Sequence, residues 1–261
     1  PMANRTCIGT TDTRVDTAAT EVTDEDRDFV LSNINKRLSL ANPLTRDDVI
    51  SERCGVRPLA LAKGADAGSD FLQLSRKHVL ETISNRKFLS IFGGKLTDCI
   101  HVGNEVCEQV AGLGIPIKES NRKWYGEPPE QERCRYFARA RSLGLDENVA
   151  EDTGESLAIR LWRRYGQNAF KMLDMISVDS SMAQPAIGGT GLRRCEISHL
   201  RDQEMIVHLE DLLRRRSRLA LLYRTEELEQ LPGLRETCGE IFGDQADEKM
   251  AACFAASDLP Q

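Results

Sequence analysis

Three short stretches hold residues whose types and spacing suit anion chemistry. Gly93-Gly94-Lys95 lies between an apolar run ending at Phe92 and a segment from Leu96 onward with helical spacing. A helix start presents unbonded backbone N–H groups and the positive end of the dipole, and here an ammonium group joins them. Glycines, lacking Cβ atoms, let a flat ligand reach that backbone. By itself the tripeptide reads more simply as a strand-to-helix turn that needs glycine for φ alone. Gly55-Val56-Arg57-Pro58 sets an arginine beside a proline that fixes the chain. Its planar fork suits bidentate binding of phosphate or carboxylate; the plainer reading is a surface arginine paired to an acid. Ser75-Arg76-Lys77-His78 adds another cation and the first of four histidines, and a single histidine is more often structural than catalytic.

Two further stretches read more plainly. Gly9-Thr10-Thr11-Asp12 is a hydroxyl-rich turn that could bond a ligand or, as such turns usually do, its own backbone. Arg214-Arg215-Arg216 with Arg218 is the only dense basic run, and Glu204, Glu210 and Asp211 lie a turn away. That spacing predicts a salt-bridged, solvated helix face rather than an anion or lipid site.

The elements that must position these residues divide near residue 115. Before it, strand and helix signals mix. "RTCIGTTD" reads as a short strand, and "DDVISERCGVRPL" as a strand stopped by Pro58. "TDEDRDFVLSNINKRL" has a Thr23 cap, an acidic first turn and Val30, Ile34 and Leu38 at helical spacing. "KHVLETI" and "RKFLSIF" flank Ser84-Asn85 as a hairpin, and the helix after the glycines should end around Gly112–Gly114. Residues 115–129, with three prolines, read as a linker. Beyond it every signal is helical: Pro129 at a first helical position, then "EQERCRYFARARSLG", "ESLAIRLWRRYG" with Ala158, Leu161, Trp162 and Tyr165 on one face, and "NAFKMLDMI". "LRDQEMIVHLEDLLRRRSRLALL" follows, with Met205, Leu209 and Leu212 in register, then two short helices after Pro232 and in "DEKMAACFAA". The expected class is α+β: a mixed strand and helix part over 1–114, the linker 115–129, and an all-α domain over 130–261 packed as a small bundle.

Composition sets outer bounds. The 261 residues are 40% hydrophobic and 29% charged with a net charge of −6, an ordinary globular balance without the basic field nucleic-acid binding needs. No run approaches the roughly 18 apolar residues of a membrane helix, and the opening "PMANRTCIG" lacks the layout of a secretory signal. Eight scattered cysteines form no C-x-x-C pair and no zinc spacing, so they read as idle thiols of a reducing compartment, with no metal site.

Taken in order, I-G-T-T-D (8–12), G-V-R-P-L (55–59), S-R-K-H (75–78) and F-G-G-K-L-T (92–97) resemble the later part of the FAD-dependent, aerobic glycerol-3-phosphate dehydrogenases. "AIRLWRRYG" and "EMIVHLEDLLRRRSRLAL" resemble the Arg-x-Tyr-Gly and Glu-Met…Asp-x-Leu-x-Arg-Arg helices of that family's C-terminal domain. The resemblance implies a flavoprotein of glycerol metabolism that oxidises sn-glycerol 3-phosphate to dihydroxyacetone phosphate. Electrons would pass to quinone, or to oxygen in the oxidase branch. It implies that Arg57 and Arg76 hold the substrate near its phosphate. Lys95 would stand beside flavin and substrate, with Arg57 and Lys95 at the reacting end. The backbone of Gly93, Gly94, Leu96 and Thr97 would wrap the flavin pyrimidine edge, where charge develops on reduction. A cytoplasmic location, a homodimer and peripheral contact with the inner face of the cytoplasmic membrane would follow.

The chain departs from the family in two ways. Arg53 stands where the family usually has an aromatic residue. Asp98, Cys99 and Ile100 stand where it has Thr or Ser, Tyr or Thr, and Arg. An Asp98 turned inward would weaken an anion site. No G-x-G-x-x-G follows a strand, and "AIGGTGLRR" at 186–194 lacks its spacing. The chain is therefore expected to be a C-terminal portion or one piece of a split enzyme, inactive without an N-terminal FAD-binding half. A non-catalytic helical interaction module is the other class the residues allow.

Overall fold

The computed structural model describes residues 5–56, 78–118, 128–149 and 154–255. The chain is mostly helical and forms two compact units, one of residues 1–11, 22–54 and 126–261, the other of 12–21 and 55–125.

The larger unit opens with α1, Asp24–Arg37, where the sequence places it. Thr23 Oγ1 accepts from the Asp26 amide and the Asp26 carboxylate accepts from the Thr23 amide, closing a capping box; three acids sit in the first turn and Lys36 and Arg37 in the last. Such a cap contributes about 1 kcal/mol and sets the start of the helix. The buried residue is Leu31, and Leu38, expected on the inner stripe, is instead the exposed C-cap.

The helical series continues with α3, Glu130–Ser142, with Pro129 at its N-cap, one place earlier than expected, then α4, Leu157–Tyr165, and α5, Ala169–Val178 (α2 belongs to the smaller unit). These three bury Tyr136, Leu161, Met172 and Leu173 in one apolar cluster. A second cluster is built from α6, Arg194–Gln203, and the short helices α7, Leu219–Leu222, α8, Thr225–Glu229, α9, Leu234–Phe242, and α10, Ala246–Ala255. Helix α6 belongs to both clusters, with Cys195 in the first and Ile197 and Leu200 in the second.

Between Cys195 and Ile197, Glu196 is fully buried. Its carboxylate accepts from both terminal nitrogens of Arg160, from the Tyr165 hydroxyl at 2.7 Å and from the Arg193 amide at 2.7 Å, and Arg164 stands 3.4 Å away. Burial, then the charge of Glu196, push the Tyr165 phenol well up. Burial and the nearby Arg160 lower the Arg193 guanidinium.

Three expectations fail here for physical reasons. Residues 6–12 and 49–56 are irregular rather than stranded, because a strand exists through its ladder and no neighbour pairs with either segment among the described residues. The stretch 201–222 is not one helix. Met205 takes a left-handed φ of 51° and is exposed, and the Asp211 carboxylate draws the amides of Val207 and His208 to itself. A π-helical turn, Asp211–Arg216, follows. Leu209 and Leu212 are buried as their spacing suggests, but Met205 is outside their register. Residues 186–194 form a packed turn: the Gly188 amide donates to Pro232, and a Cβ on Gly233 (φ +82°) would collide with the Ala186 carbonyl.

The basic run is ion-paired as its spacing predicts, but it lies on the π-helical turn and the Arg214 side chain is only 14% exposed rather than solvated. Arg215 reaches Asp211 at 2.9 Å and Glu210 at 3.1 Å, and Arg216 reaches Glu204 at 3.2 Å. A cleft of about 340 Å3 in the same unit is lined by Asp24, Arg27, Arg46, Glu52, Arg214 and Tyr223, among others. Its α1-side charges neutralise one another, Arg27 with Glu52 at 2.7 Å and Arg46 with Asp24 at 3.0 Å. No described helix is long and apolar enough to cross a membrane.

Candidate functional site

The smaller unit holds the glycine stretch. Strands β1, Val79–Ile83, and β2, Phe88–Phe92, pair antiparallel from Val79↔Phe92 to Ile83↔Phe88. Ser84–Arg86 and the left-handed Lys87 (φ 48°) close the hairpin at the expected place. The period of two puts His78, Leu80 and Thr82 on one face, where Thr82 meets Gln109 of α2, Cys99–Gly112. The other face, with Ile83, Phe88 and Phe92, is about half exposed.

At the end of β2 the chain turns through Gly93 (φ 65°) and Gly94 (φ 93°), and Lys95 is extended. A 3-10 turn, Leu96–Asp98, then runs directly into α2. The Lys95 carbonyl accepts from the Asp98 amide at 3.0 Å. The Leu96 and Thr97 amides, first of the helical run, donate to no acceptor among the described residues, as helix-start amides do. Lys95 is exposed and makes no ion pair among the described residues. Residues 93–97 thus form one exposed surface of glycine backbone, two N–H groups without an acceptor among the described residues, and an ammonium. Together they present positive potential to a flat, anionic edge.

A Cβ on Gly94 would lie 3.1 Å from the His78 Cβ, and its φ is one that side chains rarely adopt. Gly94→Ala should therefore cost about 1–2 kcal/mol. Thermal unfolding would show it, and an unshifted transition would mean that this turn does not need glycine.

Arg57 and Arg76 lie outside the described residues. Arg53 is exposed. The Asp98 carboxylate faces the His78 ring, with Oδ2 3.5 Å from Nδ1. His78 Nε2 is 2.6 Å from Glu105 Oε2, and His101 Nε2 is 2.8 Å from Glu105 Oε1. Sequence reasoning missed this cluster, although His101 and Glu105, four apart on a helix, were the available signal. Among the described residues no group of three or more His, Cys, Asp or Glu is arranged to hold a metal ion. All eight cysteines are free thiols, and nothing in the structure explains Cys99 at the exposed start of α2.

Residues 132–249 match the family model for the C-terminal domain of alpha-glycerophosphate oxidase. Across nearly the whole chain the similarity is to longer proteins. Glycerol-3-phosphate dehydrogenase 2 of Mycobacterium bovis is 26% identical over 93% of this chain and 40% of its own length. The glycerol-3-phosphate dehydrogenase of Synechocystis is 27% identical over 96% and 45%. The aerobic glycerol-3-phosphate dehydrogenase of Staphylococcus epidermidis is 29% identical over 83% and 39%. The chain therefore spans less than half the length of these relatives. The chain is thus similar to the C-terminal portion of glycerol-3-phosphate dehydrogenases, and residues 132–249 of its helical part resemble the C-terminal domain of alpha-glycerophosphate oxidase.

Proposed function

We propose that this chain is the substrate-side and helical portion of an FAD-dependent glycerol-3-phosphate dehydrogenase. The reaction is oxidation of sn-glycerol 3-phosphate to dihydroxyacetone phosphate, with electrons passed to quinone. Residues 1–114 are then the end of the flavin- and substrate-binding domain, 115–129 a linker and 130–261 the helical domain. The observation that carries the reading is the exposed Gly93–Thr97 surface, in a chain similar to proteins of that name.

The residues present fit one edge of FAD. Glycine backbone, the Leu96 and Thr97 amides and the Lys95 ammonium suit a flat ring edge on which negative charge builds. When bound, FAD supplies the two-electron acceptor for the substrate's alcohol carbon. Lys95 holds charge at the reacting end with Arg57, and Arg57 and Arg76 grip the phosphate with the bidentate geometry arginine offers. An N-terminal flavin-binding half supplies the phosphate-binding glycines and covers the half-exposed Ile83, Phe88 and Phe92. A homodimer and peripheral membrane contact belong to the same reading.

Asp98 gives no support to the alternative of a decayed, non-catalytic interaction module, because its carboxylate faces an imidazole. The family match favours a second reading of the acceptor, in which oxygen replaces quinone. The test is to express the chain together with a flavin-binding half. A flavin spectrum bleached by glycerol 3-phosphate is the expected result, and Arg57→Ala should abolish the bleaching at the same substrate concentration. A flavin reduced equally well by the variant removes Arg57 from the site. Peroxide formed in step with substrate oxidised would replace quinone by oxygen, and a complex that takes up no flavin would leave the interaction module.

A further inference from the structure

His78 touches every part of the glycine turn's support. Its neighbour Val79 pairs with Phe92, so His78 stands level with Gly93 and Gly94 across the hairpin. Its Cβ fills the space a side chain on Gly94 would need. The imidazole, with a side chain only 8% exposed, then runs to α2, where Nε2 meets Glu105 at 2.6 Å. On its other side Nδ1 is buried without a hydrogen bond, and Asp98 Oδ2 lies 3.5 Å off, close enough for charge attraction. Glu105 is held in turn by His101 at 2.8 Å, and the two imidazoles stand edge to face with centroids 6.0 Å apart.

We propose that His78, clamped between Asp98 and Glu105, is a positioning residue that fixes the Gly93–Lys95 turn against the start of α2. It thereby sets the direction of the Leu96 and Thr97 N–H groups and the stem of Lys95. One side chain ties the hairpin end to the 3-10 turn and to the helix that continues it. A leucine at 78 would fill the space and hold neither carboxylate. The role of the turn as a flavin surface rests on the proposed function; the clamp rests on this chain's own geometry.

Amide hydrogen exchange on the 261-residue chain tests the clamp. The Asp98 and Cys99 amides bond to the Lys95 and Leu96 carbonyls, so they report opening of the turn. His78→Leu, which loses the 2.6 Å bond to Glu105 and the contact with Asp98, and Asp98→Leu, which loses that contact alone, should speed their exchange about tenfold or more. Asp98→Asn keeps the shape but loses the charge that faces Nδ1, so it should speed exchange as well, whereas Cys99→Ser should stay near the parent. Parent-like exchange in Asp98→Leu overturns the clamp. If His78→Leu unfolds the whole hairpin, Asp98→Leu still decides, since its expected effect is confined to residues 95–99. In the flavin-loaded complex, FAD should bind about tenfold more weakly to Asp98→Leu. Faster exchange with unchanged FAD affinity would support the clamp and overturn the flavin reading of the turn instead.

Discussion

Replacing Glu196 by alanine should destabilise the helical unit by about 3–5 kcal/mol, because it leaves the buried Arg160 charge without a partner. The carboxylate is fully buried, Arg160 has a side chain 12% exposed, and Tyr165 and the Arg193 amide also lose their acceptor. In this unit the loss corresponds to a drop on the order of 10 °C in the unfolding midpoint. Urea unfolding followed by helical circular dichroism measures it, and a loss below about 1 kcal/mol would mean that water reaches the cluster. A surface pair such as Arg163 with Glu155 gives the contrast. It is bidentate at 2.8 Å, yet Arg163 is more than half exposed, and its removal should cost under 1 kcal/mol. Replacing Glu196 and Arg160 together by methionine should recover only part of the loss: the unpaired charge is gone, but the Tyr165 hydroxyl and the Arg193 amide still lack their acceptor.

Glu196 also shows where the sequence stops being readable. Its partners lie 36 and 31 residues away, and no periodicity links them. Features set by neighbours were legible. The Thr23 cap with its acidic turn placed α1, the apolar alternation around Ser84-Asn85 placed the hairpin, and helical spacing placed α3 to α5, α9 and α10. Features set by competition were not. Asp211 takes amides that a continuous helix would have used, so the pattern from Met205 to Leu212 suggested a helix that the backbone does not make. Strands were over-read at 6–12 and 49–56, since apolar alternation describes a face while a ladder needs a partner. The glycine turn was legible because it is contiguous. Its support was not, because His78 lies twenty residues before Asp98 and meets it only after the hairpin closes.

Lys95→Met should slow flavin reduction by glycerol 3-phosphate about 10²–10³-fold in the assembled protein, the usual cost of losing one group that meets developing charge. The same change should leave folding untouched, because Lys95 is exposed and makes no ion pair among the described residues. Its effect on stability should stay within about 0.5 kcal/mol. This separation distinguishes the prediction from the one at Glu196, where the loss is of structure and would reach activity only through unfolding. Lys95→Arg retains the charge but replaces a compact ammonium by a planar fork, so it should recover only part of the rate. Rapid-mixing measurement of flavin bleaching, with unfolding midpoints measured in parallel, reads both quantities. A rate within threefold of the parent would remove Lys95 from the reacting end and leave residues 93–97 as a turn that needs glycine only for its backbone.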